Sequence, residues 1–133
     1  MKEIKASDLK FGVNILDYDI IVYKKLRGAI AQLVIPAGTK IVKPHGHEQK
    51  LRAEKAVVLM VIPFESRYSM SRDFLKYASL DKQAYDGLGI GSAKVIEYKM
   101  GKTVKANSLN TDEFMICAGG IHFFLTESRA RNY

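Results

Sequence analysis

"DIIVYKKLRGAIAQLVIPAGT", residues 19–39, decides the fold class of this 133-residue chain. Ile20, Ile21 and Val22 open it with the β-branched residues that favour extended backbone. A basic cluster then runs into Gly28. From there Ile30, Gln32 and Val34 oppose Ala31, Leu33 and Ile35, the period-2 pattern of a second strand. The Arg27-Gly28 junction reads as a tight hairpin turn. Pro36 donates no ladder hydrogen bond, so the second strand ends there.

Working outward, "TKIVKP" (39–44) reads as a short strand and "HGHEQK" (45–50) as a polar loop. "EKAVVLMVIPF" (54–64) is the most hydrophobic stretch. Val57, Leu59 and Val61 alternate with Val58, Met60 and Ile62, so both faces are apolar. That pattern predicts a central strand buried on both sides. "SRDFLKYASLDKQAYDG" (71–87) has a Ser71 cap, Asp73 in the first turn, Phe74, Tyr77, Ala78 and Ala84 at helical spacing, and Gly87 to close it. It predicts a helix over 71–86. "AKVIEYKMGKTVKA" (93–106) predicts two strands or one bent strand, with Gly101 at the bend. "TDEF" (111–114) predicts a single helical turn.

In "CAGGIHFFLTESRA" (117–130), Gly119-Gly120 permits a sharp turn. Ile121, Phe123 and Leu125 point to one side of a strand, and His122 and Phe124 to the other. Thr126 is positioned to cap a short C-terminal helix begun by Glu127. Strands outnumber helices and do not alternate with them. The expected architecture is a single α+β domain over 1–133, with a mostly antiparallel twisted sheet, one main helix and a short C-terminal helix. Residues 1–18 form an N-terminal segment, with "FGVN" and "DYD" as turn signals.

The apolar fraction of 47% and the charged fraction of 26% are those of a globular domain, large enough at this length to bury a core. No apolar run approaches the ~20 residues of a membrane-spanning helix. The first residues lack the apolar stretch of a signal peptide. One cysteine makes no internal disulfide. Together these place the expected protein in a reducing cytoplasm, away from membranes.

Charge is the functional signal. Twenty-one Lys and Arg against fourteen Asp and Glu give a formal net charge of +7. Residues 20–60 hold most of the excess: Lys24, Lys25, Arg27, Lys40, Lys43, Lys50, Arg52 and Lys55 against Glu48 and Glu54, a net of +6. Such a surface attracts phosphate, nucleotide or nucleic acid, or serves only solubility. An Arg52 guanidinium can grip phosphate with two hydrogen bonds, or form an internal pair with Glu54.

Catalytic signatures are sparse. Cys117 and His122 form a nucleophile–base pair only if the turn folds them together, and a third group to orient the base is not evident. His45 and His47 stand at i, i+2 in a polar loop without a companion motif for a metal. "GLGIG" (87–91) has its helix before and its strand after, the reverse of a dinucleotide fingerprint. No metal, cofactor or catalytic residue is therefore expected.

Five segments taken in order resemble a known family: "VYKKL" (22–26), "LVIPAGTKIV" (33–42), "LRAEKAVVL" (51–59), "YKMGKTVKANS" (98–108) and "CAGGIHFFLTESRARNY" (117–133). They are similar to small uncharacterised domains of phages and bacteria, sometimes found beside pentapeptide repeats. The Cys-x-x-Gly-Ile-His-Phe-Phe run is the most specific part. The family often has a cysteine where Leu51 stands, and it lacks most of 69–92, which reads as an insertion. The His45–His47 pair is outside its pattern. The resemblance implies a viral or mobile-element setting, where small proteins often act against host defence.

The expected function is that of a binding protein. It sequesters a small anionic ligand, a nucleotide-derived immune signal of the host, without turnover. Lys24, Lys25 and Arg52 neutralise phosphate, Tyr23 stacks on a base and His122 supplies a hydrogen bond. A pocket shared between copies in a homo-oligomer fits this role. The alternatives are a nucleic-acid-binding or host-protein-inhibiting accessory protein, and an enzyme built on Cys117 and His122.

Overall fold

The computed structural model describes residues 1–46, 50–64, 78–81, 94–115 and 118–133. It corrects the expected α+β class: among the described residues the chain is mostly β, with two four-stranded antiparallel sheets and one short α-helix.

The first sheet contains β2 (Ile20–Leu26), β3 (Ala29–Ile35), β6 (Lys55–Pro63) and β9 (Thr103–Lys105), in the order β2-β3-β6-β9. The β2–β3 hairpin forms as its sequence suggests, turning at Gly28 with φ of 79°. The second sheet contains β1 (Gly12–Ile15), β4 (Lys40–Lys43), β5 (Leu51–Ala53) and β10 (Ile121–Phe123), in the order β1-β4-β5-β10. A two-stranded ribbon pairs β7 (Ala78–Asp81) with β8 (Lys94–Glu97).

That ribbon overturns the helix expected over 71–86. Residues 78–81 are extended and hydrogen-bonded to a strand, so ladder pairing overrides the helical spacing there. Residues 71–77 and 82–87 of that reading lie outside the described residues, as does the rest of the 69–92 insertion. The turn expected at 111–114 closes as one hydrogen bond, Met115 N–H to the Asp112 carbonyl at 3.2 Å, without becoming a helix.

The strand buried on both faces is β3, not β6. β6 lies inside its sheet between β3 and β9. Its register slips, however: Val58 pairs with Leu33 and Met60 with Gln32, which leaves Leu59 as the extra residue of a bulge. A bulge reverses which side chains face inward. Leu59 is 40% and Met60 47% exposed, while Val58 is fully buried.

Alternation along the strands builds the core. Val22, Leu26, Leu33, Ile35 and Val58 of the first sheet meet Ile41, Leu51, Ala53, Ile121 and Phe123 of the second. Each such side chain stabilises by roughly 1.5–3 kcal/mol before chain entropy is charged. Helix α1 (Glu127–Arg131) covers the opposite face of β2 and β3, where Tyr23, Ile30, Phe124 and Ala130 cluster. Its N-cap is Thr126, whose side chain accepts from the Arg129 N–H at 3.3 Å. No helix among the described residues is long and apolar enough to cross a membrane.

Candidate functional site

The two sheets meet along β2 and the residues following β10. The join is one pair of backbone hydrogen bonds: Tyr23 N–H to the Phe124 carbonyl at 2.8 Å, and Phe124 N–H to the Tyr23 carbonyl at 2.7 Å. One residue on along β2, and two residues back from Phe124 into β10, a side chain replaces the ladder. Lys24 Nζ donates to the His122 carbonyl at 2.9 Å. Lys24 is on the face of β2 that carries Val22 and Leu26, is 7% exposed, and lies 5.9 Å from the ring centre of Tyr98.

His122 pairs with Arg52 across the β10–β5 ladder, and Arg52 with Val42 across β5–β4. Because strand neighbours alternate, this row faces away from the core residues Leu51, Ala53, Ile121 and Phe123. Arg52 is 1% exposed. Its guanidinium donates to three carbonyls of one loop: Nε to Asn110 at 2.7 Å, Nη2 to Asp112 at 2.6 Å and Nη1 to Met115 at 2.5 Å. The planar fork thus holds down a segment without a strand or helix of its own. Gly120 permits the close approach. It has φ of 142°, and a β-carbon there would lie 2.9 Å from Arg52 Cβ and from Leu109 Cδ1.

His122 is 8% exposed, and its Nε2 lies 2.5 Å from the Ala118 carbonyl. A carbonyl only accepts, so Nε2 carries the hydrogen and Nδ1 presents a lone pair. Burial drives the imidazole pKa down to about 3. The Ala118 hydrogen bond opposes this, and the charges of Lys24, Lys50 and Arg52 add to it. Lys50, two residues before Arg52, is 3% exposed. Its Nζ donates to Tyr133 Oη at 2.8 Å and lies 4.8 Å from that ring's centre. The result is a buried centre of positive charge around a neutral imidazole.

Of the five residues singled out in the sequence, the structure brings together Lys24, Arg52 and His122. It sends Tyr23 and Lys25 to the other face of β2. Tyr23 is buried in the cluster under α1, where its hydroxyl accepts from Gln32 Nε2 at 3.3 Å and donates to Glu3 Oε1 at 3.5 Å. Lys25 is exposed on that same face. Sequence reasoning counted Lys50 as charge but did not place it at the site. The signal was its i, i+2 spacing from Arg52, which puts both on one side of an extended segment.

Cys117 and His47 lie outside the described residues. His45 is held between two rings, 4.1 Å from Phe11 and 4.8 Å from Phe114, and its Nε2 is 3.0 Å from Glu113 Oε1. Among the described residues no three His, Cys, Asp or Glu side chains are grouped to hold a metal.

A family model described as a family of unknown function (DUF5758) matches residues 11–130. The chain belongs to that family. The match spans both sheets and ends within α1, so the buried cationic centre is inside the family's domain. Neither a curated protein nor a solved structure matches the chain.

Proposed function

We propose that this DUF5758 domain binds a small anionic ligand, of the nucleotide kind, where its two sheets diverge, and leaves it chemically unchanged. One observation carries the reading: Lys24 of one sheet, Arg52 of the other and Lys50 just before β5 converge on His122 with their charges deep in the fold. Charge is expensive to bury, and positive charge collected in one place raises the local affinity for anions. The imidazole adds a hydrogen-bonding nitrogen. A base held near pKa 3 is poorly matched to removing a proton at neutral pH, which favours binding over catalysis. The phage and bacterial setting implied by the five sequence segments makes a host signalling nucleotide the natural candidate.

The test is to incubate the pure protein with cyclic, linear and ADP-ribose-type nucleotides and follow thermal stabilisation and products. Stabilisation by one member, recovered intact, is the expected result. If none stabilises the fold, or if the stabilising one is consumed, the reading fails.

A second reading has its own observation. Lys55 and Lys105 are direct cross-strand partners on β6 and β9, a like-charge pair that costs stability without an anion nearby. A phosphate-backbone polymer would supply one. That reading requires affinity for single- or double-stranded DNA that falls steeply with salt.

A further inference from the structure

Lys50 faces more than the buried cationic centre. It also lines a cavity of about 200 Å³, whose other walls include Ala6, Phe11, Lys43, Pro44 and Leu51. The lining is mainly apolar, with one aromatic ring and two ammonium groups. Lys43 Nζ is fixed by the Ala6 carbonyl at 2.8 Å and the Leu9 carbonyl at 3.0 Å, and lies 4.7 Å from the ring centre of Phe11. Those two acceptors use two of an ammonium's three N–H groups. Phe11 is itself braced by His45, 4.1 Å away and tilted by only 14°. The cavity is thus a mainly apolar slot with two ammonium-bearing side chains in its wall. It is smaller than the roughly 300–1,000 Å³ sites that enclose drug-sized ligands, which suits one ring and not two.

We infer that this cavity seats the single heteroaromatic ring of the anionic ligand, with the phosphate lying toward Lys50. The inference rests on the anion-binding reading above and narrows it. The ligand class becomes a nucleotide with one base per site, and the cavity supplies base contact that the buried Tyr23 does not. Apolar walls accept the faces of a base, and the ammonium groups of Lys43 and Lys50 complement the charge attached to it.

The test titrates four nucleoside 5′-monophosphates, their parent nucleosides and ribose 5-phosphate into the wild-type protein and into Phe11→Ala. Calorimetry gives the affinities, and amide chemical shifts give the location. Phe11 is half exposed, and a melting curve checks that the variant is folded. The expected result is that at least one monophosphate binds tenfold or more tightly than ribose 5-phosphate. That advantage disappears in Phe11→Ala while ribose 5-phosphate binding is unchanged. In the wild type, the shifts centre on Phe11, Lys43 and Leu51. Equal affinity for monophosphate and ribose 5-phosphate, with no change in Phe11→Ala, overturns the ring seat and leaves anion binding intact. Absence of binding by every phosphate overturns both.

Discussion

Replacing Arg52 by methionine keeps a long apolar stem and deletes the guanidinium. Three carbonyls, at Asn110, Asp112 and Met115, then lose their donor. Hydrogen bonds from a charged donor are each worth about 1.5–3 kcal/mol. The loop is largely exposed, so water can reach the released carbonyls, and removing a buried charge returns part of its desolvation cost. The net loss is expected at about 3–5 kcal/mol, a large share of the ~5–15 kcal/mol by which domains are stable. For a chain of this length that corresponds to a drop of roughly 10–18 °C in Tm, and of about 2 M in the urea midpoint. The chain has seven tyrosines and no tryptophan, so far-ultraviolet circular dichroism in urea is the suitable assay. Hydrogen exchange supplies the local readout: the amides of 110–115 should lose protection first. A loss below about 1 kcal/mol, with 110–115 still protected, would refute the claim that this one side chain holds the loop.

Three further outcomes are expected. The His122 pKa is lowered in the folded state, so the unfolded chain takes up a proton that the folded one refuses. Its contribution is complete above about pH 6.5 and falls by about 1.4 kcal/mol per unit as pH drops toward 3, a slope that His122→Gln should flatten in acid denaturation. Gly120→Ala combines φ of 142° with two contacts at 2.9 Å and should cost about 2–4 kcal/mol. At Gly28, by contrast, an added β-carbon meets nothing, so Gly28→Ala should cost only about 1 kcal/mol; equal costs in urea titrations would refute the crowding argument. Thr39 buries a hydroxyl that makes no hydrogen bond, so Thr39→Val should leave Tm unchanged or raise it by a few degrees.

The hairpin, the Pro36 stop and the Thr126 cap were legible because each depends on local chemistry: a glycine turn, a missing N–H, a hydroxyl facing free amides. The second sheet was harder to read. β1 hides in "FGVNI", where glycine and asparagine signal a turn. The buried Asn14 does close one, exchanging hydrogen bonds with Lys10 at 2.8 and 3.0 Å, but the same residues then enter a strand. The Leu59 bulge could not be read from β6 alone, since register depends on the partner strand. Ala78–Asp81 shows the same limit, with pairing to Lys94–Glu97 outweighing helical spacing. At the site, alternation correctly separated His122 from Ile121 and Phe123. It did not reveal that Tyr23 would be covered by the C-terminal helix, because that contact joins residues a hundred positions apart.

The grip of Arg52 on its loop has an evolutionary corollary. Every amino acid supplies a backbone carbonyl, so the guanidinium recognises the path of the chain and not its letters. Drift at Thr111, Phe114 or Met115 should therefore be tolerated in a saturation library as far as this contact is concerned. Position 52 should accept almost nothing else, since no other side chain reaches three separate oxygens with one rigid plane. Related domains would then be recognised by a solitary invariant arginine facing a stretch of freely varying sequence.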